Sequence, residues 1–388
     1  MKIDLFYELQ KPKPWEPDHE WTLFKETLCQ ARLADEVGFD CWWEVEHHTV
    51  EEFTYSSAPE VVLAAISQNT KRLRLGHAVV LAPFNFNHPI RVAERAATLD
   101  LISDGRLEFG MGRSTALEWW IFGIDPEDTR NQMQEALQMI PKMWSQDRFR
   151  WDSKYFKIPE RPIIPKPYQK PHPPMWMAAS SPASVEMAAH CGIGMLGLTL
   201  LRPLEDMAQW LDTYRREIKH AEPVGSFINN QTGVFTFVHC AETTREAIEH
   251  GAAEAAAWYI NSFPVFLNVP AQEGAPTGQQ LEAGQVFRAA AGPSPDQPQG
   301  ELTPVMDLLG RIREGEQISG EEIFEILNDE DMVIIGDPET CKKKMKRYRE
   351  IGVDRLLCLS QVGRLPHDAV MDSIRLVGRH LIPYFSPK

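Results

Sequence analysis

No two cysteines in this chain stand at a CxxC spacing; the six of them, at positions 29, 41, 191, 240, 341 and 358, are scattered. A zinc ribbon or a disulfide framework is therefore not expected, and a reducing compartment fits. Basic charge is also scarce: 40 Lys and Arg stand against 55 Asp and Glu, a formal net of −15. That balance excludes a general binder of nucleic acid or anionic membrane, which needs clustered cations. The dense run Lys342-Lys343-Lys344, with Lys346 and Arg347, fits a solvated helix face. Long apolar runs are missing too. Gly192 to Leu201, the longest apolar-looking stretch, is far too short to cross a bilayer. Met1 to Lys11 mixes acidic and basic residues and lacks an apolar signal core. The expectation is a soluble cytoplasmic protein without a metal centre.

What the chain does have is alternation. Its 388 residues are 43% hydrophobic and 24% charged, enough for a sizeable core. Short β-branched or aromatic runs alternate with longer amphipathic ones, with expected strand starts near 3, 41, 73, 107, 175, 195, 233 and 355. Eight strands alternating with helices predict an α/β fold, a TIM (β/α)8 barrel formed as a single domain over 1–388. Phe149 to Pro174 interrupts the rhythm as a short proline-rich hairpin and an extended connection. Between Pro264 and Pro304 there are seven prolines and five glycines in 41 residues, which no regular element tolerates. Residues 262–330 are thus expected to be a long insertion after strand 7. Short helices near Thr303 to Ile312 and Gly320 to Asn328 would finish it. Its place on the catalytic side of a barrel suggests a mobile lid.

Barrel chemistry sits at the carboxyl ends of strands, so those residues carry the functional reading. Strand two ends in Glu44-Val45-Glu46-His47-His48, where His47 is a candidate general acid or base and Glu46 stands beside it. Strand three reads Leu75-Gly76-His77-Ala78-Val79, with small residues at 76 and 78 where a flat ligand could approach the backbone. Strand four ends Phe109-Gly110-Met111-Gly112-Arg113-Ser114; Arg113 could fork a phosphate. It is not a dinucleotide fingerprint, because Thr115 stands in place of the third glycine. After strand five, Ser180-Ser181-Pro182-Ala183-Ser184 offers hydroxyls and N–H groups at a helix start. That turn suits either plain N-capping by Ser181 or a phosphate cradle. Aromatics gather near the same ends. Trp43, Trp119, Trp120 and Trp258 are the expected substrate-pocket residues, with the Trp119-Trp120-Phe122 group read as a loop lining.

Taken in order, these pieces resemble the bacterial-luciferase-like flavin monooxygenases over roughly 1–261 and 334–385. The resemblance runs through Gly38-Phe39-Asp40, Glu46-His47-His48, Leu75 to Leu81 with His88-Pro89, and Leu99-Asp100 through Ser103-Asp104-Gly105-Arg106. It continues in Phe109-Gly110-x-Gly112-Arg113, in Ser180-Ser181-Pro182-x-Ser184 with Ala188-Ala189, and in Ile335-Gly336-Asp337-Pro338-Glu339. It implies a barrel that holds reduced FMN delivered by a separate NAD(P)H:flavin reductase. There the flavin forms a C4a-hydroperoxide with O2 and oxygenates a partly apolar or aromatic small molecule. Carried over, Arg113, Ser180, Ser181 and Ser184 fall on phosphate-binding positions, and His47 on the catalytic histidine. Ala78-Val79 falls on a non-proline cis peptide under the flavin ring, flanked by His77 and Gly112. A homodimer is implied as well. Two departures stand out: Gly112 occupies the place of a reactive cysteine of luciferases, and Ser180 that of an acidic residue, so light emission is not expected. The alternatives on the same fold are hydride transfer with the deazaflavin F420 and a non-catalytic flavin-binding barrel.

Overall fold

The computed structural model describes residues 1–200, 204–263, 303–329 and 332–385. Eight parallel strands close on themselves: β1 (Lys2–Tyr7), β2 (Cys41–Glu44), β3 (Arg74–His77), β4 (Leu107–Gly112), β5 (Met175–Ala178), β6 (Gly194–Leu198), β7 (Thr232–Cys240) and β8 (Arg355–Leu359). Each pairs with the next, and β8 returns to β1 with Lys2 opposite Arg355 and Phe6 opposite Leu359. The expected strand starts fall within a residue or so of these bounds. Helices cover the outside, as a parallel sheet buried on both faces requires.

Large side chains and one buried cation plug the lower barrel. Trp43 and Trp176 meet edge to face, ring centres 5.3 Å apart. Their indole N–H groups donate to Asp4 Oδ2 (2.8 Å) and Glu108 Oε2 (2.7 Å). Arg355, 1% exposed, sits between those carboxylates, 2.8 Å from Asp4 and 3.8 Å from Glu108, and reaches Asp40 at 2.7 Å. Burial lifts the Asp4 carboxyl above the ordinary range although Arg355 pulls the other way. Glycine at 76 is required here, since a Cβ there would collide with the Trp43 ring; Gly194 gives way to Trp176 in the same manner. The small residue at 76 thus accommodates the protein's own tryptophan, not a ligand.

Several elements differ from the sequence reading. The third strand is interrupted: β3 stops at His77, the Ala78–Val79 peptide is cis as expected, and Val80–Leu81 resumes alongside Met111 and Gly112 of β4. Trp119 and Trp120 lie in a short helix, Ala116–Ile121, not in a loop. The stretch after β7 folds as two helices, Thr244–Glu249 and Ala252–Ser262, broken at Gly251, which lies in the left-handed region at φ +82°. A further strand, Val333–Gly336, pairs with the outer half of β7, from Phe237 to Cys240. Helices Pro304–Arg313 and Gly320–Asp329 stand where the end of the insertion was expected; the proline-rich part, 264–302, lies outside the described residues, and with it the lid. Among the described residues no helix is long and apolar enough to cross a membrane.

Replacing the buried guanidinium, as in Arg355→Leu, strands Asp4 as an uncompensated carboxylate, whereas Glu108 keeps Arg74 at 2.6 Å. The expected loss is about 3–5 kcal/mol at neutral pH, read from the urea midpoint. An unchanged midpoint would show that the plug is held by the tryptophans alone.

Candidate active site

A cavity of about 220 Å³ opens at the carboxyl ends of the barrel strands. Its wall divides into a polar end, a flat middle and an apolar end.

At one side stands His47, three residues past the end of β2. Its backbone N–H donates to Ser56 O at 3.0 Å. Its Nδ1 lies 3.2 and 3.1 Å from the two carboxylate oxygens of Glu118, on the Ala116–Ile121 helix. Glu118 is fully buried and further held by the His48 N–H (2.7 Å), the Ser114 hydroxyl (2.5 Å) and the Thr115 hydroxyl (3.1 Å). Ser114 adopts a left-handed backbone at φ +72° that carries its hydroxyl to this carboxylate. Burial works against charge on both partners, and their attraction outweighs it. The imidazole is held above its ordinary value and the carboxyl below, so the pairing favours the imidazolium–carboxylate form. Glu118 escaped the sequence reading because it lies 71 positions from His47 in a segment read as pocket loop.

Glu46 does not pair with His47. Its carboxylate accepts the Leu81 N–H (2.8 Å) and the Asn87 amide (2.9 Å), and so anchors the chain just past the cis peptide. Ala78, Val79 and Gly112 form the flat middle of the cavity. A Cβ at 112 would collide with the Val79 side chain, which is the physical reason no cysteine stands there. His77 is buried beneath, outside the lining; neither of its ring nitrogens has a hydrogen-bond partner among the described residues. Burial drives its pKa down to about 3, so it is neutral.

The polar end gathers Arg113, Arg130, Ser180, Ser181 and Ser184. Arg113 donates to Thr129 Oγ1 at 3.1 Å, and its guanidinium lies over the Trp119 ring, 5.3 Å from the centre. The Trp119 indole N–H donates to Arg113 O at 2.6 Å. Ser181 and Ser184 form a capping box at the start of the Pro182–His190 helix. The capping role expected for Ser181 is therefore present, and the same turn faces the cavity. Arg130 is a second cation, one residue into the Thr129–Ser145 helix. The sequence reading passed over it as one polar position of an amphipathic helix.

The four tryptophans expected in the substrate pocket do not line this cavity. Trp43 belongs to the plug below, Trp119 braces Arg113, and Trp120 packs beside Trp119 with Phe86 and Phe122. Trp258 stacks on Phe53, ring centres 5.8 Å apart. The apolar lining is Phe6, Leu198, Phe235, Phe263 and Leu357, with the Phe6 and Phe235 rings stacked at 4.3 Å.

The family model of the luciferase-like monooxygenases matches residues 11–355. This chain belongs to that family. Among its relatives is the oxygenase component of the flavin-dependent trigonelline monooxygenase of Acinetobacter baylyi. It is 32% identical over 195 residues, covering 50% of this chain and 52% of the relative. The chain spans little more than half the length of the curated relatives it matches, 52% to 61% for three of them. The same luciferase-like barrel is seen in the monooxygenase RslO1 of Streptomyces bottropensis, with a TM-score of 0.75 at 23% identity over 100% of both chains. The oxygenating constituent of 3,6-diketocamphane monooxygenase of Pseudomonas putida, solved with FMN, gives 0.72 at 18% identity over 99% of this chain and 98% of the other. An F420-dependent tetrahydromethanopterin reductase of Methanopyrus kandleri gives 0.66 at 18% identity over 100% of both chains, so the luciferase-like fold alone does not choose a cofactor.

In this luciferase-like site, Glu118→Gln removes the charge that opposes burial of the imidazolium. The His47 titration midpoint, followed by NMR of the ring nitrogens, is expected to fall. The folding contribution of the pair, complete below the unfolded histidine value and lost as pH rises through the raised one, should disappear from the pH–stability curve. A midpoint that stays in place would detach His47 from Glu118.

Proposed function

We propose that this chain is the oxygenase of a two-component monooxygenase, using reduced FMN from a separate NAD(P)H:flavin reductase, and O2, to oxygenate a partly apolar organic molecule. The observation that carries the reading is one cavity lined by two arginines, a serine turn, the small residues Ala78 and Gly112, and His47. Those donors fit FMN: Arg113 and Arg130 match a phosphate dianion, and the helix start at Ser181–Ser184 adds N–H groups. The residues expected as site residues at 46, 47, 78, 79, 112, 113, 180, 181 and 184 all line this cavity. The named oxygenase component of Acinetobacter baylyi and the FMN-bound Pseudomonas putida protein support the same cofactor and the same division of labour. A cytoplasmic location and a homodimer go with the reading and rest on family analogy.

When bound, reduced FMN supplies the activation of O2. The chain's own part is binding, orientation and proton handling. Arg113 and Arg130 would hold the phosphate, and Val79 and Gly112 would lie against the ring. Phe6, Phe235 and Leu357 keep water from the reacting end. His47 has Nδ1 engaged by Glu118, so it exchanges its proton with the cavity through Nε2.

Anaerobic titration with photoreduced FMN tests the reading: tight binding of the reduced form is expected, followed by a long-lived near-ultraviolet species on mixing with O2. His47→Ala should retain binding, lower the rate of product formation by about 10²–10⁴-fold and lower the product formed per O2 consumed. Binding of F420 in preference to reduced FMN would overturn the proposal.

A further inference from the structure

The carboxyl group of Glu8 also lines the cavity, and nothing above uses it. It follows β1 directly and is 3% exposed. The Tyr259 hydroxyl donates to its Oε1 at 3.1 Å and the Gln10 amide to its Oε2 at 2.9 Å. Gln10 is itself fixed, since its Oε1 accepts the Gly363 N–H (3.0 Å) and its backbone N–H donates to Gln361 (3.0 Å). The carboxyl is thus held from two sides while each oxygen keeps a second acceptor site. Among the described residues no lysine or arginine pairs with it. A buried carboxyl with no lysine or arginine paired to it is costly and rarely kept for packing.

We propose that Glu8 is the general base of the cavity, taking a proton from an O–H or N–H of a substrate that lies between it and His47. This rests on the monooxygenase reading. In the step, the substrate O–H or N–H bond breaks, its electron pair stays on the substrate heteroatom, and the proton passes to a Glu8 carboxylate oxygen. The substrate left behind is a stronger nucleophile toward activated oxygen. Phe6, Phe235 and Phe263 surround this end, so the substrate class is a phenol-like or N–H-bearing molecule on an aromatic or apolar frame. A site built to accept such a donor discriminates strongly against analogues that lack it.

The groups facing Glu8 are His47 past β2, Glu44 at the end of β2, and Tyr259 on the Ala252–Ser262 helix. Burial raises Glu8 to about 7, with His47, Tyr259 and Gln10 holding it back. Burial raises Glu44 to about 8, so near pH 7 it is largely neutral and adds little repulsion. Glu8 therefore gains base character as pH rises through neutrality.

Carboxyl ¹³C NMR of glutamate-labelled protein tests this, with the Glu8 resonance assigned by its absence in Glu8→Gln. The expected midpoint lies near neutrality, moves upward in Tyr259→Phe, and the resonance responds to phenol but not to anisole, which lacks the proton. A midpoint in the ordinary carboxylate range, a midpoint unmoved in Tyr259→Phe, no response to phenol, or an equal response to both probes overturns the proposal. Binding of reduced FMN by the wild-type protein is measured alongside. Its failure strikes the monooxygenase reading, whereas a silent Glu8 with FMN bound strikes only the base.

Discussion

The buried guanidinium of Arg355 sets the level at which this barrel stops being packed core and becomes a site. It lies on β8 and is bound by carboxylates from β1 and β4 and by Asp40 just before β2, so one side chain ties together parts of the ring that are distant in sequence. Such a charge has a large desolvation cost and is kept only with close partners; the two indole N–H groups donate to Asp4 and Glu108, and Arg74 pairs with Glu108 as well. The tryptophans fill the space left by Gly76 and Gly194. With the lower barrel filled, every strand end above it is displayed to the cavity, and the cavity inherits its residue order from the strand order.

That dependence explains what could be read from the sequence. The eight strands were legible because each is a short apolar run bounded by glycine, proline or a charged turn, and residues at their ends fell into the cavity as a consequence. The strand at Val333–Gly336 was not, because four residues after an acidic helix give no period to count. Trp43 was misplaced because an inward-facing strand residue can belong to the plug or to the mouth, and only the layer of its neighbours decides. Glu118 and Arg130 were missed for another reason. Their roles come from helices folding back over the barrel end, and no spacing in the chain announces that contact.

Opposite environments give the cavity its chemical direction. His47 is buried beside a carboxylate that is itself fixed by three donors besides the imidazole, so charge on the ring is favoured in spite of burial. Glu8 is buried with no lysine or arginine paired to it, and burial outweighs the pull of His47, so charge there is disfavoured. Both values are raised, but for different reasons: a neighbouring carboxylate favours the charged form of His47, and burial favours the neutral form of Glu8. Arg113 and Arg130 stand at the far end, where fixed positive charge suits an anion that does not react.

Glu46 and His47 show how closely such roles can be divided. Adjacent in sequence, they turn to different partners: His47 to Glu118, Glu46 to the Leu81 N–H and the Asn87 amide. Were Glu46 the partner of His47, the backbone beyond Ala78–Val79 would lose an acceptor for a buried N–H, at a cost of about 1–3 kcal/mol. The floor of the cavity would loosen where Val79 must lie flat against Gly112. Assigning the imidazole to a carboxylate from another element leaves Glu46 to hold the floor, so the proton site and the binding surface are fixed by separate bonds. A change in the charge of one then need not disturb the shape of the other.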